Sequence, residues 1–556
     1  MVVNQSKKVF SAAILSSLAL MLSACGGGGG GGGAAGGLAF SGGSGDSGGS
    51  SSSSSGSTAP TSKISRFAAN GTSVNVGVVI SPSVSLSNPI YTKVTDPNNV
   101  FSPNVTVTAN SDGTYTLGLS TSSTASNGNY SGTVVVSLCN DAVCNNPVQT
   151  VSVPYSVRIL DSQSTWPGNT LTTLSAWSGV ADWGTFQGNA AHTGYVPVTV
   201  NPDNFTTRWQ LPTGCTVASF VTCNMITTAN GVFFLAGSTS SNFQTDNLLY
   251  ARKEYDGSVV WQYDFKDAFV SPPAAANGTV YVVAGQGNPT NFYGLKAKDG
   301  SLLFNSSMGS QYLSYLTPTI GASGIYTNGA TGTGSTGGFY AFNSDGSQAF
   351  FTSMAQGDSW TPAVDANGVY AYAGGVLTVV DPKTGATLHS ISDPTASTFA
   401  ASSIGGSPVL GASGSVIMAN YLASQPALVD FNVAKNSIAW AIAGSYRTTP
   451  AYASGIIYAA NSNPFRLEAR SEKDGSLLWS WTPPGVSGGM FEGGFTSEVL
   501  LTSNLIFVST TLNTYAIDRT SHQMVWSYPA SGHLALSANG ILYIEGSNTL
   551  TAINLK

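Results

Sequence analysis

The sequence predicts an all-β protein. Three observations lead there. Charged residues make up only 8% of the 556 residues, while hydrophobic residues reach 42% and Tyr, Phe and Trp are abundant; aromatic and β-branched side chains favour strands. A unit of about four short apolar runs recurs through the carboxyl-terminal two thirds of the chain. A separate block of short runs with period-two alternation precedes it.

The amino terminus comes first. Lys7 and Lys8 form a positive region, and Val9 to Leu22 is an apolar stretch too short for a bilayer, which needs ~20 residues. It fits a cleaved signal peptide over 1–24. The segment ends Leu22-Ser23-Ala24-Cys25-Gly26. This resembles the bacterial lipobox, which implies that Cys25 carries the lipid anchor and that the outer membrane holds the protein, facing the periplasm or the cell surface. An ordinary signal peptide with a nearby cysteine is the competing reading. Residues 25–62 are almost wholly Gly, Ser and Ala, a composition that buries no apolar surface and predicts a disordered Gly/Ser tether. The glycine run satisfies G-x-G-x-x-G through composition alone, with no strand before it.

Residues 63–160 read as a β-sandwich. Val74–Ile80, Asn104–Thr108, Thr114–Ser120, Gly132–Cys139 and Gln149–Ile159 are candidate strands, and Asn110-Ser111-Asp112-Gly113 is a turn between two of them. The stretch Gly128-Asn129-Tyr130-Ser131-Gly132-Thr133-Val134-Val135-Val136 resembles late strands of bacterial immunoglobulin-like domains. Setting Cys25 aside, four cysteines remain in two close pairs: Cys139 with Cys144, and Cys215 with Cys223. An exported chain permits disulfides. Zinc is the rival, disfavoured by the ~70-residue gap and the lack of C-x₂-C spacing.

From residue 206 the repeat takes over, after a connector at 161–205. An Asn-Gly or Ser-Gly turn opens each unit, as at Asn230-Gly231, Asn277-Gly278, Asn367-Gly368 and Asn539-Gly540. An Asp-Gly or Thr-Gly turn follows, as at Asp256-Gly257, Asp299-Gly300, Thr384-Gly385 and Asp474-Gly475. A strand with a large apolar residue closes each unit: Trp261, Phe304, Phe350, Leu388, Trp440, Trp479 and Trp526. Spacings of this length with four strands are the signature of propeller blades. The last unit lacks its closing strand, and Thr207-Arg208-Trp209-Gln210-Leu211 supplies one from the other end. Seven internal closing strands plus Trp209 predict an eight-bladed β-propeller over 206–556.

These repeats resemble the pyrroloquinoline-quinone-like β-propeller family. Asp182-Trp183-Gly184-Thr185-Phe186-Gln187-Gly188-Asn189-Ala190-Ala191-His192-Thr193-Gly194-Tyr195 looks like that family's lead-in. The family includes quinoprotein dehydrogenases and non-enzymatic lipoproteins, one of them a subunit of the outer-membrane β-barrel assembly machinery, so fold alone does not select an activity.

Chemistry is sparse in the sequence. A net charge of −6 with no basic stripe excludes a nucleic-acid partner. There are four histidines. His192 reads as structural, and His389 and His522 as edge or turn residues. Gly485-Val486-Ser487-Gly488-Gly489 matches G-x-S-x-G but follows a proline-rich loop, not a strand. The vicinal cysteines that the dehydrogenases carry over their quinone are missing, and few carboxylates remain for calcium. No catalytic residue, metal ligand or cofactor is therefore expected; pyrroloquinoline quinone with calcium is the alternative. Segments before the innermost strands hold Asp267, Tyr315, Asp358, Trp360, Arg447, Glu492 and His533. Trp360, Arg447 and Glu492 are the candidate ligand-binding residues, their aromatic face and guanidinium suited to a planar or anionic ligand; the plainer reading is that they solvate and plug the channel. The function expected is a non-catalytic scaffold binding a protein or ligand. A quinone-dependent oxidoreductase and a barrel-assembly factor are the alternatives.

Overall fold

The structure, a computed structural model, describes residues 64–160, 171–212 and 225–556, apart from short stretches at 70–74, 81, 83–88, 110–113, 127, 237–246, 267, 286–289, 311–315, 332–335, 356–359, 397–404, 413, 421–425, 484–493 and 547–548. The signal peptide, Cys25, the tether and the Cys215/Cys223 pair lie outside the described residues.

Two sheets make the first folded block. One orders Ile64–Ala69, Gln149–Leu160, Gly128–Cys139 and Tyr91–Thr95; the other orders Asn75–Ile80, Tyr115–Ser120 and Thr106–Ala109. Alternation drives their packing. Val134, Val136 and Leu138 point inward from one sheet, Leu117 and Leu119 from the other, and all five are fully buried in one core. Two strands were not legible. Tyr91–Thr95 is half-exposed along its length, so it carries little hydrophobic signal, and Ile64–Ala69 pairs parallel to a distant segment. Cys139 and Cys144 form a disulfide with Cα atoms 5.3 Å apart. It closes the end of the hairpin between the two longest strands.

The remaining sheets repeat one antiparallel unit. Among the described residues they occupy 227–264, 269–310, 319–354, 363–392, 409–443, 451–481, 500–528 and 533–554. Six have four strands, and two carry an additional short strand. Within a unit the second strand is buried on both faces, as in Val369–Ala373, Leu505–Ser509 and Ile541–Gly546. It therefore reads as a continuous apolar run. The outermost strand alternates, as in Ser437–Ala443.

Each outermost strand also carries a register shift at the same place. Opposite them, on the neighbouring strand, the shifts fall at Ala251/Arg252, Gly294/Leu295, Ala341/Phe342, Val379/Val380, Asp430/Phe431, Ala469/Arg470, Ala516/Ile517 and Ala552/Ile553. A bulge inserts one extra residue and bends the edge strand away from further pairing. The extra residues Val260, Leu303 and Leu478 are exposed accordingly. This corrects one expectation. In the fourth unit Val379 faces His389, so His389 holds the closing position and Leu388, 48% exposed, is the bulge residue.

The closing aromatic side chains lock each unit to the next. Trp261 Nε1 donates to Ala297 O at 2.9 Å, and Trp440 Nε1 to Glu472 O at 2.7 Å. Their rings lie where a Cβ at Gly300 or Gly475 would come within 2.7 or 2.8 Å, and both glycines have positive φ. Only glycine meets both demands without strain. Where the Asp-Gly signal fades, other residues take the left-handed conformation: Asn436 at φ 49° and His522 at φ 60°. His522 stacks on Trp479 with ring centres 4.2 Å apart.

The last sheet is completed by Thr206–Pro212, which pairs antiparallel with Thr549–Asn554. Trp209 is fully buried. It donates Nε1–H to Glu254 O at 2.9 Å and stacks on Phe233 of the first unit at 5.3 Å. The last sheet is thus fastened to the first by the contact that joins the others, and the ring closes.

Candidate functional site

The innermost strand of a propeller blade is an edge, with donors facing the axis that need acceptors. Here the segment 177–200 supplies them. Trp183 O accepts from Thr228 N, Gly184 O from Ala275 N, Ala190 O from Val364 N, Ala191 O from Leu410 N, Thr193 O from Tyr452 N and Gly194 O from Leu501 N, all at 2.7–2.9 Å. Thr185 Oγ1 takes the third unit's donor, Ile320 N, at 3.1 Å. Trp177 N donates to Ala538 O of the eighth unit. One short stretch therefore bonds every unit in turn and forms an axial hub.

Side chains fix the hub in place. His192 is fully buried, with Nδ1 2.9 Å from Pro408 O and Nε2 2.8 Å from Thr319 Oγ1, and it meets Phe186 edge-on. Burial lowers its pKa to about 3, so the ring is neutral. The structural reading of His192 holds. Gln187 and His192 both have left-handed backbones, at φ 51° and 58°, a conformation that costs a non-glycine residue of order 1–3 kcal/mol and persists only where surroundings impose it. Gly184 has no such φ, but a Cβ there would lie 2.3 Å from Ala275 O.

The hub is the floor of a recess. Thr185, Phe186 and Gln187 meet Met225 and Ile226 of the first unit, Thr317 of the third, Glu498 of the seventh and Leu534 of the eighth. Glu498 Oε2 lies 3.0 Å from His533 Nδ1, and the two side chains are 17% and 19% exposed. Burial opposes charge on both, but their mutual attraction prevails: the Glu498 carboxyl titrates below its usual range and His533 above. Across the strand pair, His533 faces Glu545. Glu545 is buried with Oε2 unpartnered, and burial raises its pKa to about 8. The Thr317 hydroxyl is also fully buried and unpartnered.

The residues expected at the channel mouth are distributed differently. Trp360 is fully buried, set edge-on to Phe339, and its carbonyl accepts from Asn328 Nδ2 at 2.7 Å. Arg447 is exposed beside buried Tyr446. Glu492 lies outside the described residues, as do Asp267, Tyr315 and Asp358. His533 is paired with Glu498, which lines the recess. Sequence reading passed over Glu498 and Thr317, because nothing local distinguishes a carboxylate or hydroxyl facing the axis from one in a turn. Among the described residues no group of three or more His, Cys, Asp or Glu side chains is arranged to hold a metal ion.

Comparison with known proteins places this geometry. Residues 192–481, more than half of the chain, match the protein family described as outer membrane protein assembly factor BamB. No curated protein matches the sequence. Among solved structures, a europium-containing methanol dehydrogenase is 11% identical, with 66% of this chain and 89% of that one covered at a TM-score of 0.51. BamB from Moraxella catarrhalis is 15% identical, with 63% and 98% covered at 0.47. The quinohemoprotein alcohol dehydrogenase from Comamonas testosteroni is 13% identical, with 67% and 80% covered at 0.48. At such identities the likeness to the methanol dehydrogenase is one of β-propeller fold.

Proposed function

Since the chain belongs to the family of outer membrane protein assembly factor BamB, we propose that it acts as a non-catalytic scaffold, binding a protein or ligand through its propeller. The observation that carries this reading is the hub. A ring whose inner edges are all bonded to one axial segment is a rigid platform, and its loops project from fixed positions. Lipidation at Cys25 would hold the platform at the outer membrane by way of the Gly/Ser-rich segment 25–62. No described helix is long and apolar enough to cross a membrane, which is compatible with such an anchor.

The described lining supports a site without the quinone. Pyrroloquinoline quinone is a planar tricarboxylate, which calls for cationic partners. The described residues of the recess include Glu498 and neither Lys nor Arg. Trp183 and Phe186, the aromatic residues there, are 5% and 2% exposed and are packed into the floor. The residues present do not fit that cofactor. A role in assembling outer-membrane β-barrels is the second reading, favoured by the family match.

The test combines two measurements. Purified protein is mixed with pyrroloquinoline quinone and calcium, and dye reduction is followed with alcohols and sugars; the scaffold reading expects silence, and turnover overturns it. In cells, photo-crosslinkers at Arg447 and at other exposed loop positions should trap a defined protein. Trapping a barrel-assembly component would select the second reading.

A further inference from the structure

The seam that closes the ring differs from a sister seam in one carboxyl group. Glu254 follows the third strand of the first unit, Leu248–Lys253. Its backbone carbonyl accepts from Trp209 Nε1 at 2.9 Å, and its Oε2 accepts from Asn539 Nδ2 of the eighth unit at 2.8 Å. Glu472 holds the same place in the sixth unit. Its backbone carbonyl accepts from Trp440 Nε1, and its carboxylate reaches across to Ala412 N of the fifth unit and also accepts from the Tyr452 hydroxyl. Glu472 thus has both oxygens bonded at a half-buried site. Glu254 is fully buried, and its Oε1 has no partner. The Tyr543 hydroxyl, on the second strand of the eighth unit, is likewise fully buried and without one.

A buried carboxylate with one oxygen bare is costly, whereas the acid form is neutral and brings a donor of its own. The charged groups nearby are otherwise engaged. The Arg208 guanidinium on the closing strand donates to Tyr255 O, Asn554 Oδ1 and Thr172 O. Asp182 of the hub accepts from Asn230 N, and Asp256 in the same turn is taken up by Ser258. Burial is the largest influence on Glu254 and raises its pKa to about 7, with Asp182 adding to it; Asn539, Ser537 and Arg208 oppose it. We propose that the seam between the eighth and first units is a proton-dependent latch, closed while Glu254 is in its acid form and loosened when the proton leaves. An opened seam admits water to Glu254, which then titrates near ~4.3. Closure is therefore strongest below pH 4 and weakens as pH rises through 7. The latch sets how firmly the platform holds together, whatever the platform binds.

The test follows hydrogen exchange of the tryptophan indoles in the full chain by NMR. Trp209 Nε1–H reports the closing seam. Trp440 Nε1–H, bonded in the same way to Glu472 O, corrects for the intrinsic pH dependence of exchange. From pH 5 to pH 8.5 the ratio of the Trp209 rate to the Trp440 rate should rise at least about tenfold. In Glu254→Gln, whose amide is neutral at every pH and keeps a donor, the ratio should stay constant. In Glu545→Gln, which removes the other carboxyl that burial keeps protonated, the rise should persist; this variant identifies the titrating group even if Glu254→Gln does not fold. A flat ratio in the wild type overturns the proposal. So does a rise that survives Glu254→Gln or disappears in Glu545→Gln.

Discussion

At Glu545 the chain holds a carboxyl group that burial keeps protonated to about pH 8, against ~4.3 in an unfolded chain. The sign follows from linkage. The unfolded state releases its proton first, so the stability tied to the protonated form is complete below pH 4 and declines as pH rises through 8. Glu545→Gln removes that dependence. It should leave urea unfolding near pH 4 almost unchanged and stabilise the protein at pH 8 by up to roughly 4 kcal/mol. A variant equally stable to wild type at pH 8 would show that the carboxyl is solvated. Single residues also mark the limits of reading the sequence. The Asp-Gly turns were legible because glycine announces a left-handed backbone, whereas Asn436 and His522 do the same work without announcing it. His522 holds the conformation against the face of Trp479, a contact between adjacent units that no local pattern reveals.

Among the elements, the strand Thr206–Pro212 has the clearest measurable role. Trp209 loses its stacking on Phe233, its bond to Glu254 O and a fully buried volume when truncated. Trp209→Ala should cost about 4 kcal/mol, measured by denaturant unfolding. Trp440→Ala removes the same kind of bond at a half-buried site inside the ring and should cost less. The reverse order would mean that ring closure does not depend on this strand. The pairing of Thr206–Pro212 with the last unit was readable, because a missing strand at one end and a spare at the other leave a single arrangement. The bulges were not. They shift Leu388 outward and His389 inward through backbone register alone, and a sequence pattern lists both as candidates for the same slot.

At the largest scale, the repeated sheets form a ring strung on the segment 177–200. The lead-in motif was visible as a motif, but its role was not, since the acceptors are backbone carbonyls and their donors lie up to hundreds of residues away. One substitution probes all of it. Gly184→Ala forces a Cβ to within 2.3 Å of Ala275 O. Amide exchange should then quicken at Thr228 and Ala275 and also at Val364, Leu410, Tyr452 and Leu501, if the hub moves as one body. Faster exchange confined to the first two would show that each contact stands alone. The hub also sets a schedule. It precedes the eight repeated sheets found among the described residues, and it meets the first seven of them in their order along the chain. Each sheet, as it forms, finds its docking point already present, while the strand around Trp209 waits for the final sheet. Construction can thus proceed stepwise from one end, and the ring becomes cooperative only with its last stitch.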